Sequence, residues 1–212
     1  SIPLEDIIVL AQSVGAVLAS AWAHDYAPKI RGLILGSPAF KVKLYVPFAR
    51  LGIALMQKAR GNFFINSYVK ANYLTHDPER IASFKSDPLI TRPISARMLT
   101  GLLDTADRVV EDASAITLPV QLFVSGADWV VHQRPQHVFY NRLTGPLNER
   151  HVMQGFYHDT FGEMEREKAF APMGAFIKKL FAAKPYRADL SEAHLHSPSA
   201  TKQKWLESPY PA

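Results

Sequence analysis

The sequence predicts an α/β fold in which helices cover a parallel β-sheet. Two short all-apolar runs, 7–11 (IIVLA) and 32–36 (GLILG), have the pattern of strands that are buried on both faces. Between them, residues 14–24 are small and apolar, which favours a helix packed on the sheet. Strand, helix and strand joined by short links are typical of a parallel crossover.

The middle of the chain changes character, because no strand pattern is present from residue 40 to about residue 112. Helical segments are predicted at 46–59, 63–73 and 95–113. Pro78 suits the first turn of a further helix. We interpret about 41–95 as a helical cap inserted into the sheet fold, with the last helix returning to the sheet. An ordinary helical layer is the alternative.

The alternation of strands and helices resumes in the last third of the chain. Strands are predicted at 119–125 and 149–154, and helices at 134–143 and about 162–181. Beyond Lys184 the sequence is rich in Pro, Ser and His without periodicity. We therefore predict one domain over 1–184 and a linker or tail over 185–212.

The composition limits the classes of function. The 212 residues carry a formal net charge of +5 in scattered positions, which does not indicate nucleic-acid binding. The chain contains no cysteine, so disulfides and a cysteine nucleophile are excluded. No apolar run is long enough to span a bilayer, no metal-ligand spacing is present, and no phosphate-binding loop suggests a nucleotide cofactor. We expect a cytoplasmic protein without metal or cofactor.

The string Ala11-Gln12-Ser13-Val14-Gly15 lies where the first buried strand gives way to a helix. This is the context of a nucleophile elbow, in which a strained serine stands clear of the sheet between small residues. Gly15 fits that pattern, and Ala11 stands where glycine is usual. A helix start capped by Ser13 is the alternative.

A serine hydroxyl needs a histidine base, and that histidine needs a carboxylate to orient it. Asp128 follows the predicted strand 119–125, and His158 follows the last strand, so all three side chains fall at carboxyl ends of strands. Alternatively, Asp128 stabilises a turn and His158 is a capping or core histidine. We interpret Asp159 as the N-cap of the final helix.

The remaining histidines are less well placed for catalysis. His24 falls at a helix end, and His132 and His137 flank a helix start. We expect all three to be structural or exposed.

The residues 7–40, the segments Asp87-Pro88-Leu89 and Ile94-Ser95-Ala96-Arg97, the stretch 119–131 and Tyr157-His158 resemble the monoacylglycerol lipase and lysophospholipase branch of the α/β-hydrolases. The resemblance implies an α/β-hydrolase fold and a cofactor-free serine hydrolase that cleaves carboxylic esters. It assigns Ser13 as nucleophile, Asp128 as acid and His158 as base. The strings VKLYVPFAR, GNFFINSYVKA and SGADWVVH are similar to bacterial proteins in which such a domain is joined to a methyltransferase.

The chain departs from that family pattern at its start, since only a few residues precede the elbow strand. The backbone N–H of Val14 can supply one oxyanion donor, but the loop that supplies the second has no place here. Losing one such donor typically costs about 3–4 kcal/mol of transition-state stabilisation. We therefore expect the missing N-terminal half in an upstream segment or another chain, or self-association through the exposed first strand.

The substrate is expected to be a small acyl ester or a lipid, the latter with peripheral contact to a membrane. Candidate binding residues are Gln12, Phe48, Met56, Phe63 and Phe64, although the aromatic and aliphatic set of the cap also suits a cap core. A non-catalytic interaction or regulatory module of the same fold is the rival hypothesis. Thioesterase and peptidase chemistry also remain open, because fold does not fix function.

Overall fold

The computed structural model describes residues 2–45 and 48–186, and their fold is organised by a four-stranded parallel sheet. The strands of this sheet are β1 (Ile8–Gln12), β2 (Gly32–Gly36), β5 (Val120–Ser125) and β6 (Glu149–Met153), and they lie in the order β1-β2-β5-β6. The helices are α1 (Ser13–Tyr26), α2 (Ala49–Arg60), α3 (Pro78–Ser86), α4 (Ala96–Glu111), α5 (Gln133–Arg142) and α6 (Glu167–Ala182). The predicted α/β fold is confirmed.

Helices cover both faces of the sheet. Alternate residues of each strand point to opposite faces, so one strand packs against different helices on its two sides. Leu33 and Leu35 of β2 pack into one buried cluster with residues of α1, α4 and α5. Ile34, between them, packs with Phe176 and Leu180 of α6 in a second cluster. The run 32–36 is thus buried on both faces, as predicted. The prediction is wrong for the run 7–11, because β1 is an outer strand of the described sheet, its residues are only partly buried, and Leu10 is 49% exposed.

The cap contains a small antiparallel strand pair that the sequence did not predict. Strands β3 (Phe64–Asn66) and β4 (Pro93–Ser95) pair antiparallel. The expected helix over 63–73 is therefore wrong, and only a single 3₁₀ turn, Ala71–Tyr73, follows β3. Strands of three residues are too short to show an alternating pattern, and their stability comes from pairing across about 30 residues of chain.

The two other cap helices agree with the sequence. Pro78 is the first residue of α3, and the Asp77 carboxylate before it accepts hydrogen bonds from the backbone N–H groups of Glu79 and Arg80. The helix predicted over 46–59 is found as α2.

The final helix begins five residues later than predicted, and Asp159 is not its N-cap. The residue before α6 is Arg166, and it makes no side-chain capping bond. The Asp159 carboxylate instead bonds to Gln12 and Arg80. The tail predicted over 185–212 lies, from residue 187 onward, outside the described residues. Among the described helices, none combines the length and apolar character needed to cross a bilayer.

Candidate active site

Ser13 occupies the sharp junction at which β1 ends and α1 begins. Its φ is +54°, in the left-handed region that a non-glycine residue adopts only under strain. A Cβ placed on Gly15 would meet no atom within 4 Å, so packing among the described residues does not require a glycine two positions after Ser13. Five other described non-glycine residues also have a positive φ, but Ser13 combines this conformation with a position between a strand and a helix, where the turn holds the side chain clear of the sheet.

His158 forms hydrogen bonds with both of the side chains predicted to work with it. Its Nε2 lies 2.7 Å from Ser13 Oγ, and its Nδ1 lies 2.8 Å from Asp128 Oδ2. Both His158 and Asp128 are buried. The loops after β5 and β6 bring Asp128 and His158 to the carboxyl edge of the sheet, where Ser13 also lies.

The second oxygen of the Asp128 carboxylate is bonded within its own turn. Oδ1 accepts hydrogen bonds from the backbone N–H groups of Val130, at 2.7 Å, and Val131, at 2.9 Å. Asp128 therefore stabilises a turn, as the alternative interpretation proposed, and also contacts His158. These three bonds fix the carboxylate plane, and they satisfy a charge that would be costly to bury alone.

The loop that carries Asp128 is tied to the segment that leads into the cap. Lys43 Nζ donates to the carbonyl of Asp128 at 2.6 Å, and the Lys43 backbone N–H donates to Val130. Val42 forms an antiparallel bridge with Val131. The start of the cap and the carboxylate loop are thus held in a fixed relation.

Val14 follows Ser13 in the first turn of α1, where backbone N–H groups lack an intrahelical partner. The residue is partly exposed and lies in the wall of a cavity next to Ser13. A helix N-terminus of this kind suits a developing negative charge.

A cavity of about 750 Å³ separates the cap from the sheet edge, and Ser13 and His158 form part of its wall. The rest of the wall is mostly apolar. It includes Ile53, Ile65, Tyr73, Phe84, Leu99 and Leu102. A volume of this size and apolar character suits a ligand with a long hydrocarbon part.

The predicted substrate-binding residues do not lie in this wall. Phe48 and Phe64 are 84% and 68% exposed, and Met56 is also exposed. Phe63 is half-buried outside the wall. The amide of Gln12 donates to Asp159. A direct substrate contact of these residues stays a prediction.

Sequence reasoning missed the cavity residues on α4. Met98, Leu99 and Leu102 lie at helical spacing on one side of this helix and in the cavity wall. From the sequence alone, the apolar spacing of this helix predicts a face packed on the sheet, but not a cavity wall. The spacing is nevertheless the signal that could have indicated these residues.

Two other ionisable side chains, His24 and Tyr68, lie outside the hydrogen-bonded path from Ser13 through His158 to Asp128. His24 is fully buried between the carboxylates of Asp25 and Asp112. Burial, with the nearby Tyr45 and the Asp128 carboxylate, raises the pKa of Tyr68, a residue of the cavity wall, to about 12. Within the described ranges, no group of three His, Asp or Glu side chains is arranged to hold a metal ion.

His132 and His137 also lie outside the site. Burial and the cations Lys41 and Lys43 lower the pKa of His132. Burial and Arg150 lower the pKa of His137. Both are expected to be neutral at neutral pH.

Three sequence relatives share most of this chain. The uncharacterized protein YnbC of Escherichia coli K12 is 56% identical over 203 residues, which are 96% of this chain and 35% of that protein. Phospholipase YtpA of Bacillus subtilis is 25% identical over 80% of this chain and 67% of its own length. A monoacylglycerol lipase of Mycolicibacterium smegmatis is 22% identical over 80% of this chain and 61% of its own length. The chain thus spans about a third of YnbC and about two thirds of the other two.

Solved structures show the same fold. The monoacylglycerol lipase of Paleococcus ferrophilus superposes with a TM-score of 0.73 at 21% identity, covering 82% of this chain and 68% of that one. A soluble variant of monoglyceride lipase from Saccharomyces cerevisiae superposes with a TM-score of 0.71 at 16% identity, covering 81% and 61%.

The sequence model of the family described as serine aminopeptidase, S33, matches residues 2–165. This match extends from the strand before Ser13, through the cap, to the loop after His158. The chain therefore belongs to the serine aminopeptidase S33 family, in the lipase-like branch of the α/β-hydrolases.

Proposed function

We propose that this chain carries the nucleophile, base and acid of a serine hydrolase that cleaves carboxylic esters with long acyl chains. The observation that carries the proposal is the continuous hydrogen-bonded path from Ser13 through His158 to Asp128, which opens onto an apolar cavity. The names of the relatives, a phospholipase and a monoacylglycerol lipase, support a lipid ester as substrate.

In the proposed mechanism, Ser13 Oγ attacks the ester carbonyl while its proton moves to His158 Nε2. Asp128 accepts a hydrogen bond from Nδ1–H and stabilises the positive imidazolium. The histidine then gives the proton to the leaving alcohol, and the acyl group stays on Ser13. A water molecule that His158 deprotonates attacks this acyl-enzyme, and the fatty acid leaves as the proton returns to Ser13 Oγ.

The Val14 N–H is one proposed donor to the oxyanion that forms in each attack. A second donor would come from outside this chain, either from an N-terminal segment of the full-length protein or from a partner that pairs with β1. Strand β1 is an outer strand of the described sheet, so its free edge is available for such pairing. The length of YnbC, of which this chain matches 35%, is consistent with a further domain, for which a fused methyltransferase is the hypothesis.

We also propose that the cap contacts a membrane surface through α2. Leu51 and Leu55 are 58% and 60% exposed and lie one turn apart on its outer side, and Phe48, the residue before the helix, is 84% exposed. Ile53, on the inner side, lies in the cavity wall. The helix contains no acidic residue and has Lys58 and Arg60 in its last turn, which favours an anionic lipid surface.

A fluorophosphonate probe tests the nucleophile, because it reacts with activated serines. We expect mass spectrometry to locate the label on Ser13 of the full-length protein, and we expect Ser13→Ala to remove it. A panel of chromogenic acyl esters should show turnover that increases with chain length. A label that persists in Ser13→Ala would contradict the proposal, and a wild-type protein without label or turnover would favour a non-catalytic module. Thioester and peptide substrates on the same panel separate the other acyl chemistries.

A further inference from the structure

The loop that carries His158 is attached to the cap through two carboxylates. Glu163 is almost fully buried and accepts a hydrogen bond at 2.8 Å from the backbone N–H of Tyr157, the residue before His158. The same carboxylate accepts from the backbone N–H of His76 and the hydroxyl of Thr75, both in the cap. Glu163 therefore anchors one side of the histidine loop to the cap.

Asp159, the residue after His158, makes a second set of contacts. Its Oδ1 accepts a hydrogen bond at 2.9 Å from Nε2 of Gln12, which directly precedes Ser13. Its Oδ2 accepts at 2.9 Å from Nη2 of Arg80 in α3, and its backbone N–H donates to Leu74 at 2.7 Å. One short side chain thus connects the neighbour of the serine, the neighbour of the histidine and the cap.

Gly162 leaves the space that this arrangement needs. A Cβ at Gly162 would overlap with Asp159 Oδ2 and would lie 2.8 Å from Arg80 Nε. Asp159 is mostly buried, whereas Arg80 is more than half exposed. The Arg80 contact alone is therefore a weak surface ion pair, and the bond to Gln12 is the more sheltered link.

We propose that Asp159 is a positioning residue that fixes the spacing between Ser13 and His158 by holding Gln12. It also makes that spacing depend on the position of the cap. This inference rests on the proposed hydrolase function. Catalytic groups must be held within a fraction of an ångström, because a displacement of about 1 Å can cost about 100-fold in rate. Asp159 touches neither substrate nor proton in this role.

Four variants of the full-length protein test the inference: Asp159→Ala, Asp159→Asn, Gln12→Ala and the double variant Asp159→Ala/Gln12→Ala. Glu79→Gln is the matched control, because it removes an exposed carboxylate from the same cap helix, α3. The readouts are kcat and KM on a chromogenic ester, the rate of fluorophosphonate labelling at Ser13, and the melting temperature.

We expect Asp159→Ala to lower kcat by about 10- to 100-fold with KM changed less than about twofold, and the labelling rate to fall in parallel. Gln12→Ala should act in the same direction, and the double variant should be no worse than Asp159→Ala, because both changes break one bond. Asp159→Asn should restore most of kcat, since its amide oxygen can face Arg80 and its NH₂ a rotated Gln12 amide. Glu79→Gln should match the wild type.

The inference would be overturned by an unchanged kcat in Asp159→Ala, by additive losses in the double variant, or by a raised KM with normal kcat. If Asp159→Ala does not fold, Gln12→Ala still tests the inference, because it removes the same hydrogen bond from the other partner. If the wild type hydrolyses esters and Asp159→Ala does so equally well, only this inference fails. If the wild type neither hydrolyses esters nor accepts the probe, the proposed function fails with it.

Discussion

His158 Nδ1 lies 2.8 Å from Oδ2 of Asp128, while the other carboxylate oxygen is held by the backbone N–H groups of Val130 and Val131. The two oxygens of Asp128 are therefore not interchangeable. Oδ1 accepts two backbone hydrogen bonds within the turn, so Oδ2 is the oxygen that contacts His158.

This division predicts the effect of Asp128→Asn. The amide oxygen should stay with the two backbone N–H groups, and the amide NH₂ should then face Nδ1. That contact favours the tautomer with the proton on Nε2, which cannot accept the proton of Ser13. We expect kcat to fall on the order of 10⁴-fold, the size of loss that this substitution causes in a serine protease, with little loss of stability. Steady-state kinetics and thermal melting check the prediction, and a fully active Asp128→Asn would contradict the proposed role of Asp128 as the acid that orients His158.

Filling the cavity should change the preferred acyl length. Ile53 lies in the cavity wall, and Ile53→Trp should exclude roughly two methylene groups of a long chain, which costs about tenfold in kcat/KM. Short esters should be hydrolysed as before. Leu89→Trp is the matched control, because Leu89 is an exposed residue of the cap outside the cavity wall. Equal losses on short and long esters would show that the cavity does not hold the acyl chain.

The outer side of α2 should govern binding to vesicles. Leu51→Glu/Leu55→Glu places two charges on the surface proposed to enter the lipid headgroups, and we expect sedimentation with phosphatidylglycerol vesicles to weaken at least about tenfold. Leu4→Glu changes a similarly exposed leucine outside the cap and should bind like the wild type. Equal binding by the Leu51/Leu55 variant would exclude this helix as the contact surface.

Stability should depend on Asp25 at neutral pH and lose that dependence in acid. Partial burial acts to raise the pKa of Asp25, but hydrogen bonds from Arg108 and His24 outweigh it and hold the pKa below its ordinary value of 3.8. Arg108 contributes a two-pronged contact, at 2.6 and 3.0 Å. The unfolded chain thus binds the proton more readily, so the stabilisation is complete above pH 3.8 and is lost as the pH falls through the lower, folded value.

We therefore expect Asp25→Asn to lower the free energy of unfolding by about 2 kcal/mol at pH 7 and by less at pH 3, which lies below the ordinary pKa of Asp. Melting temperatures at the two pH values check this. Glu165→Gln removes an exposed pair with Lys168 and should change the melting temperature little at either pH. A loss for Asp25→Asn that is the same at both pH values would contradict the electrostatic origin.

The order of the main elements and the three chemical side chains could be predicted from the sequence, because both leave local signals. Buried parallel strands appear as continuous apolar runs, and the ends of such strands are where Ser13, Asp128 and His158 were found. Because β1 and β6 are the two outer strands of the described sheet, the loop after β6 is what brings His158 to Ser13, and the hydrogen-bond distances are a property of the tertiary structure.

Only the tertiary structure decided the strand pair of the cap, the cavity wall and the roles of Asp159 and Gln12. These depend on contacts between segments far apart in the chain. Gln12 and Asp159, for example, are 147 residues apart and show no pattern that links them. A local pattern records how each segment buries its own apolar face, whereas the partner of a polar side chain is chosen by how the packed segments meet.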